Sequence, residues 1–355
     1  MAARIYLDHA ATTPTTAAAR AGVERGFALW ANPSSPHREG RAARAALEEA
    51  RGAIGAAHGW GGEVLLTSGA SESLAIALGR TTASRRLITA VEHDAVMRAG
   101  AEASAVIPVG ADGIVDRDAL QAALAGAEPT LVCVQWANSE TGVRQPIAEI
   151  AAIVHSAGGW LLVDAAQMPA SVALADHADL VALSAHKRGG PPGVGALLVR
   201  DLAMLSPSGG QERGYRPGTE NLPGVLGYAA ALAEEEPQHA ALRAHLDDAI
   251  RRSGGEIVAD ASPRHSAIAS YRLPGVAAAV QLIRLDAAGF SVSAGSACSS
   301  GSMKPSHVLA AMGWDEAAGR EVIRVSFGRD TDAADVDAFI AAWRAMARAT
   351  RRFAA

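Results

Sequence analysis

The chain has 355 residues, a formal net charge of −5 and 49% hydrophobic residues. That length suits a large core and two domains, while the acidic balance argues against a protein built to hold nucleic-acid phosphates, which carries a basic excess. The start, through Ile5-Tyr6, runs straight into a strand-like segment with no apolar stretch long enough for a signal sequence, so a cytoplasmic protein with no membrane or nucleic-acid partner is expected.

From Glu63 to about Arg200, short apolar runs at 64–66, 87–89, 131–134, 160–163, 180–183 and 196–199 alternate with helical patterns. Runs that are apolar on both faces and spaced by helices predict an α/β fold with a mainly parallel sheet covered on both sides. Ligands gather at the carboxyl ends of such strands, and Gly69, His93, Asn138, Asp164 and Lys187 each fall just past a run. Beyond about 222 come two helical stretches broken by Pro237. A smaller strand and helix set follows at 257–258, 268–273, 290–294 and 322–327, with a last helix at about 333–351. This reads as a second, smaller α+β domain.

Only two of the 32 basic residues Lys and Arg are lysines, Lys187 and Lys304. A position that stays Lys in an Arg-rich background is a candidate for chemistry that needs a primary amine, such as Schiff-base formation; drift in composition is the plain alternative. Asp164 ends a strand of hydrophobes, where a carboxylate calls for a cationic partner such as a pyridinium nitrogen, or caps the next helix. Gln167, three residues on, could donate to a phenolic oxygen on the same ring. Ser184 and His186 flank Lys187 closely enough to bind a phosphate. The turn Thr67-Ser68-Gly69-Ala70-Ser71-Glu72-Ser73 joins a strand to a helix and reads either as a phosphate cradle or as an ordinary small-residue turn. His93 could stack on an aromatic cofactor and relay protons, or be a satisfied side chain. Cys133, between Val132 and Val134, reads as core, whereas Cys298 lies among small residues in Ser293-Ala294-Gly295-Ser296-Ala297-Cys298-Ser299-Ser300.

Several segments together resemble the successive motifs of the cysteine desulfurases. They are Tyr6-Leu7-Asp8-His9-Ala10-Ala11-Thr12-Thr13-Pro14, Asn32-Pro33-Ser34-Ser35, the turn at Gly69, Glu92-His93, Asp164-Ala165-Ala166-Gln167, Ser184-Ala185-His186-Lys187, Gln211 to Asn221, and Gly295-Ser296-Ala297-Cys298. The resemblance runs in order from residue 5 to about 328. It implies a fold type I pyridoxal-phosphate transferase with a mainly parallel seven-stranded sheet in a large domain at 14–240. The smaller α+β domain would be formed by 1–13 and 241–355 and carry the cysteine loop.

By the same resemblance Lys187 anchors pyridoxal 5'-phosphate, Asp164 pairs with the ring nitrogen, Gln167 contacts the phenolic oxygen, and His93 stacks on the ring and acts as acid or base. Gly69, Ala70, Ser71, Asn138, Ser139, Ser184 and His186 belong to the cofactor site, and Thr219 reaches the phosphate of the neighbouring subunit in a homodimer with shared sites. Arg324 and Asn32 bind the substrate, L-cysteine. Cys298 takes its sulfur as a persulfide, leaving alanine, for transfer to an acceptor protein of unassigned pathway; iron–sulfur cluster assembly is one such pathway. The serine-rich surroundings of Cys298 resemble the housekeeping, flexible-loop branch. Two departures stand out: Ser139 replaces the second Asn of the family's Ala-Asn-Asn-Glu-Thr-Gly motif, and the chain stops at Ala355 without the longer tail that docks a scaffold. Selenocysteine lyase, another class V pyridoxal-phosphate enzyme and a non-catalytic binding subunit are the rival readings.

Overall fold

The computed structural model describes residues 4–126, 128–295 and 305–354, with side chains as far as Ala349. In chain order the first half runs β1 (Ile5–Tyr6), α1 (Ala17–Ala28), α2 (Arg38–Ala57), β2 (Glu63–Thr67), α3 (Ala70–Arg80), β3 (Arg85–Thr89), α4 (Asp94–Ala99), β4 (Ala105–Ile107), α5 (Arg117–Ala123), β5 (Thr130–Gln135), α6 (Ile147–Ser156) and β6 (Trp160–Asp164). It continues through β7 (Leu180–Ser184), β8 (Gly195–Val199), α7 (Leu222–Leu232), α8 (Ala240–Arg252), β9 (Glu256–Ile257), β10 (Ile268–Arg272), α9 (Ala278–Ala287), β11 (Phe290–Ser291) and β12 (Ser293–Ala294). The last elements are α10 (His307–Ala311), α11 (Glu316–Gly319), β13 (Val322–Ser326) and α12 (Ala333–Ala354).

Seven strands form the large sheet in the order β2-β8-β7-β6-β5-β3-β4. All pairs are parallel except the two made by β8, which runs against β2 and β7. Successive strand residues face opposite sides: Leu66, Val181 and Leu198 enter one core with α2, α6 and α7, whereas Leu65, Ala182 and Leu197 enter another with α3. Double coverage is why the strands read as continuous apolar runs. Cys133 on β5 is fully buried in this sheet, and burial pushes its thiol well above the usual range, consistent with a core role.

A four-stranded antiparallel sheet, β12-β13-β10-β9, packs with α8 and α12 around a separate core that includes Trp343, Phe339 and Tyr271. The N-terminal segment joins this core through Leu7 and Ala10, and β1 pairs with β11. Two details differ from the sequence expectation. β4 has only three residues and lies at the sheet edge, too short for a periodic signal. The run at 290–294 splits: β11 pairs with β1 and β12 pairs with β13, so one apolar stretch serves two sheets.

Candidate active site

Strands β2, β3, β5, β6 and β7 point the same way, and the turns that follow them converge on a cavity of about 390 Å³. It is lined by Gly69, Ala70 and Ser71 after β2, His93 after β3, Ser139 after β5, Asp164 and Gln167 at and after β6, and Ser184, His186 and Lys187 at and after β7. Of the residues expected just past these strands, Gly69, His93, Asp164 and Lys187 line it.

The β2–α3 turn has the character of an anion cradle. Gly69 sits at φ 147°, a region open essentially to glycine, and α3 begins without a side-chain cap. Thr67 and Ser73 spend their hydroxyls on each other at 2.9 Å, so the first amides of α3 keep their donors for whatever occupies the cavity. Gly195 on β8 is required by this turn. A Cβ there would fall 2.5 Å from Gly69 Cα and closer still to the Leu183 carbonyl.

Asp164 is buried at the end of β6, with Oδ1 accepting from the Ala166 amide at 3.0 Å. Burial raises its pKa, while the Ala166 hydrogen bond and the charges of His93 and Lys187 oppose that rise. A carboxylate in this position is stabilised by a cation placed against it. His93 caps α4: its Nδ1 accepts the Ala95 amide at 3.1 Å. Desolvation lowers its pKa, with Asp164 opposing and Lys187 assisting. The neutral ring with Nδ1 as acceptor therefore carries its proton on Nε2. His186 is pushed down to about 4 by burial and by Lys187, so it meets a ligand as a neutral ring, with Nδ1 3.1 Å from Thr12 Oγ1.

Lys187 Nζ donates to the carbonyl oxygens of Ala10 and Ala11, and Gln167 Nε2 donates to the Ala10 carbonyl at 3.0 Å. The N-terminal segment thus crosses the floor of the site and holds both side chains. Asn138 does not line the cavity. Its Nδ2 donates to the Val91 carbonyl and its Oδ1 accepts from the amides of Glu140 and Thr141, which fixes the loop that presents Ser139. Arg324 is 4% exposed; it donates to Asp8 Oδ1 at 2.8 Å and to the Ser139 carbonyl at 2.9 Å, one residue back from the cavity wall, and its Nε has no acceptor among the described residues. Asn32 and Thr219 are exposed and away from this cavity. Cys298 and Lys304 lie outside the described residues.

The sequence reading assigned no role to Asp8, Thr12, Glu140 or Ser306, although the first three stand within motifs. Asp8 orients Arg324, Thr12 meets His186, and Glu140 accepts from Ser306 Oγ at 2.6 Å. Gly295 also packs against this carboxylate, whose Oε2 would lie 2.5 Å from a Cβ there. The described ends of the span that contains Cys298 are thereby held beside the loop of Ser139.

An uncapped helix start for a phosphate, a buried carboxylate for a ring nitrogen and a primary amine in one cavity fit pyridoxal phosphate group by group. Fold and site define an aminotransferase-like enzyme: the model of the family described as aminotransferase class-V matches residues 5–339, and the chain belongs to that family, which depends on pyridoxal phosphate. Its relatives narrow the class to cysteine desulfurases. The chain is 38% identical to a cysteine desulfurase of Bradyrhizobium diazoefficiens, covering 99% of this chain and 98% of that protein. It is 37% identical to an IscS-like cysteine desulfurase of Mycobacterium tuberculosis, covering 94% and 93%. The solved NifS-like protein of Rickettsia africae superposes with a TM-score of 0.87 at 29% identity, over 97% of this chain and 99% of that one.

Proposed function

We propose that the chain is a cysteine desulfurase that removes the sulfur of L-cysteine, releases L-alanine and holds the sulfur on Cys298 as a persulfide. The observation that carries this reading is the convergence of Lys187, Asp164 and the α3 start on one cavity, with the flanks of the Cys298 segment fastened beside it through Glu140. Lys187 would hold the cofactor aldehyde, Asp164 the ring nitrogen, Gln167 the phenolic oxygen, and Gly69, Ala70, Ser71, Ser184 and His186 the phosphate. When bound, pyridoxal phosphate supplies a ring that draws electrons away from the α-carbon of an amino acid.

The residues divide the proton work. The Lys187 amine is the group suited to take the α-proton, because His93 accepts the Ala95 amide at Nδ1 and already carries its proton at Nε2. His93 is accordingly a donor in its resting state. Arg324, oriented by Asp8, has the paired donors that a substrate carboxylate needs. Cys298 attacks as a thiolate: its Sγ bonds to the substrate sulfur while the carbon–sulfur bond breaks.

Thr219 is exposed and away from its own chain's cavity, in keeping with a role toward the site of a second copy, and α1 leaves Phe27 68% exposed with Trp30 just beyond it at 77%. Apolar side chains of that size suit a homodimer interface. The proposed division into 14–240 and 1–13 with 241–355 is supported by the two sheets having separate cores. No helix among the described residues is long and apolar enough to cross a membrane, and the proposed location is the cytoplasm.

The test is turnover of L-cysteine by the cofactor-loaded enzyme, with alanine and sulfide measured together, in the parent and in Cys298→Ala. The variant should keep the cofactor absorbance and lose sulfide release under reductant. Sulfide release from Cys298→Ala at the parent rate would refute the persulfide step, and a rate on selenocysteine alone would favour the lyase reading.

A further inference from the structure

Alternate residues of β13 face two ways. Ile323 and Val325 enter the smaller core, whereas Arg324 and Ser326 meet the N-terminal segment. Arg324 donates to Asp8, and two residues further along both stretches Ser326 Oγ accepts the Ala10 amide at 2.8 Å. Ser326 is fully buried and Ala10 nearly so, and polar groups at that depth need a partner. No backbone carbonyl among the described residues takes the Ala10 amide. The segment runs beside β13 only briefly. The Ser326 amide donates to the Leu7 carbonyl at 2.8 Å, and by Ala11 the chain has turned, with that amide donating back to the Asp8 carbonyl at 3.0 Å. Both peptides that meet at Ala10 are therefore pinned, one inside the turn and one by a hydroxyl 316 positions away. The carbonyls of this turn are the ones the site uses. Ala10 accepts from Lys187 Nζ and from Gln167 Nε2, and Ala11 accepts from Lys187 Nζ at 2.9 Å.

We propose that Ser326 is a positioning residue: by holding the Ala10 amide it fixes the two carbonyls that receive the Lys187 amine whenever that amine is not joined to the cofactor. The inference rests on Lys187 holding the cofactor aldehyde, and it concerns the step in which a substrate amine replaces the lysine. In that exchange the incoming nitrogen bonds to the carbon of the former aldehyde, the bond from that carbon to Lys187 Nζ breaks, and a proton passes from the incoming nitrogen to the departing one. The freed amine carries donors that need acceptors, and the turn supplies two. Holding the displaced lysine favours the exchange, so a loosened turn opposes it. Ser326 does not line the cofactor cavity and acts through the backbone alone.

The experiment adds methylamine, and separately L-alanine, to the cofactor-loaded enzyme. Borohydride then fixes whichever linkage is present, and the masses of the intact chain and its peptides report the fraction of cofactor on Lys187. In Ser326→Ala the amine concentration for half displacement should rise about ten-fold with both probes, the worth of one hydrogen bond. Ser326→Cys, which fills similar space with a weak acceptor, should move the same way and serves if the alanine variant does not fold. Ile323→Val trims the smaller core on the same strand; it should lower the melting temperature and leave half displacement unchanged, which separates positioning from general loosening. Half displacement at the parent concentration in the Ser326 variants, or an equal rise in Ile323→Val, would overturn the proposal. So would a rise with L-alanine alone, which assigns the effect to the carboxylate grip of Arg324. Cofactor fixed elsewhere than on Lys187 in the parent would overturn the function on which the proposal rests, and the proposal with it.

Discussion

Glu212 offers a measurable link between the fold and the segment that carries Thr219. Its carboxylate is fully buried and accepts Arg51 Nη1 at 2.5 Å, Arg51 Nη2 at 2.9 Å and the Leu66 amide at 2.8 Å, which fastens the segment from Gln211 onward to strand β2. The backbone at Glu212 lies at φ 49° and at Arg213 at φ 56°, a left-handed conformation that non-glycine residues hold only when their surroundings impose it. Glu212→Ala removes the carboxylate that accepts all three bonds and leaves the buried Arg51 to Glu48, 3.0 Å from its Nε, a loss of about 3 kcal/mol. Glu212→Gly loses the same contacts but relieves the left-handed backbone, so it should be less damaging by about 1 kcal/mol. The double variant Arg51→Met, Glu212→Gln removes both charges and should recover much of the loss. Urea denaturation of the cofactor-loaded enzyme reads all three, and limited proteolysis near Arg213 reads the local release. If Glu212→Ala unfolds within 1 kcal/mol of the parent, or Gly and Ala are equivalent, the buried pair is not what holds the turn.

Other outcomes follow from the site. Gly195→Ala should weaken cofactor binding at least ten-fold, measured by absorbance titration, because the Cβ meets Leu183 and Gly69 backbone rather than a movable side chain. Asp164→Asn should retain the fold and lower kcat on the order of 10²–10³-fold, as expected when a charge-stabilising group is removed, with unchanged turnover counting against its role. Arg324→Lys should raise KM for cysteine more than it lowers kcat, since a point charge cannot reproduce the paired donors held by Asp8. Acid stability should depend on His58, which burial and then Arg188 push down to about 4 from 6.5. The unfolded chain binds this proton first, so the contribution is complete above pH 6.5 and is lost as pH falls toward 4, a total of about 3 kcal/mol. His58→Phe should flatten the melting curve across that window, and parallel curves for parent and variant would dismiss the assignment.

The large sheet was legible because both faces are covered. Each apolar run at 64–66, 87–89, 131–134, 160–163, 180–183 and 196–199 became a strand, and the residue types just past the runs pointed to the rim. β4 escaped because three edge residues carry no period, and the split between β11 and β12 escaped because pairing partners are not written in an apolar run. At the site, Lys187, Asp164, His93, Ser184, His186 and the Gly69 turn were readable from their chemistry at strand ends. What the sequence did not disclose was how they are held. Ala10 and Ala11 act through carbonyl groups, which no side-chain type announces, and Asp8 and Glu140 act through partners more than 150 positions away.

That distribution of roles has a mechanical consequence. The residues proposed for the cofactor sit on the large sheet, whereas Arg324 and the flanks of the Cys298 segment belong to the smaller sheet's side, and the two sides meet through an apolar cluster that includes Val91, Val258, Val308 and Val322 as well as through polar bonds. Arg324 bonds to the Ser139 carbonyl, Ser306 to Glu140, Ser270 to the Glu140 carbonyl, and His307 to the Glu92 carbonyl. Each such bond contributes about 0.5–1.5 kcal/mol, beside the apolar cluster around Val91 and Val308 that joins the two sides. If Arg324 binds the substrate carboxylate as proposed, binding would act on this joint directly, because its guanidinium already spans Asp8 and Ser139. On the proposed function, substrate recognition and delivery of the cysteine nucleophile would be connected through the same loop, residues 138–140, whose geometry Asn138 fixes with hydrogen bonds to Val91, Glu140 and Thr141.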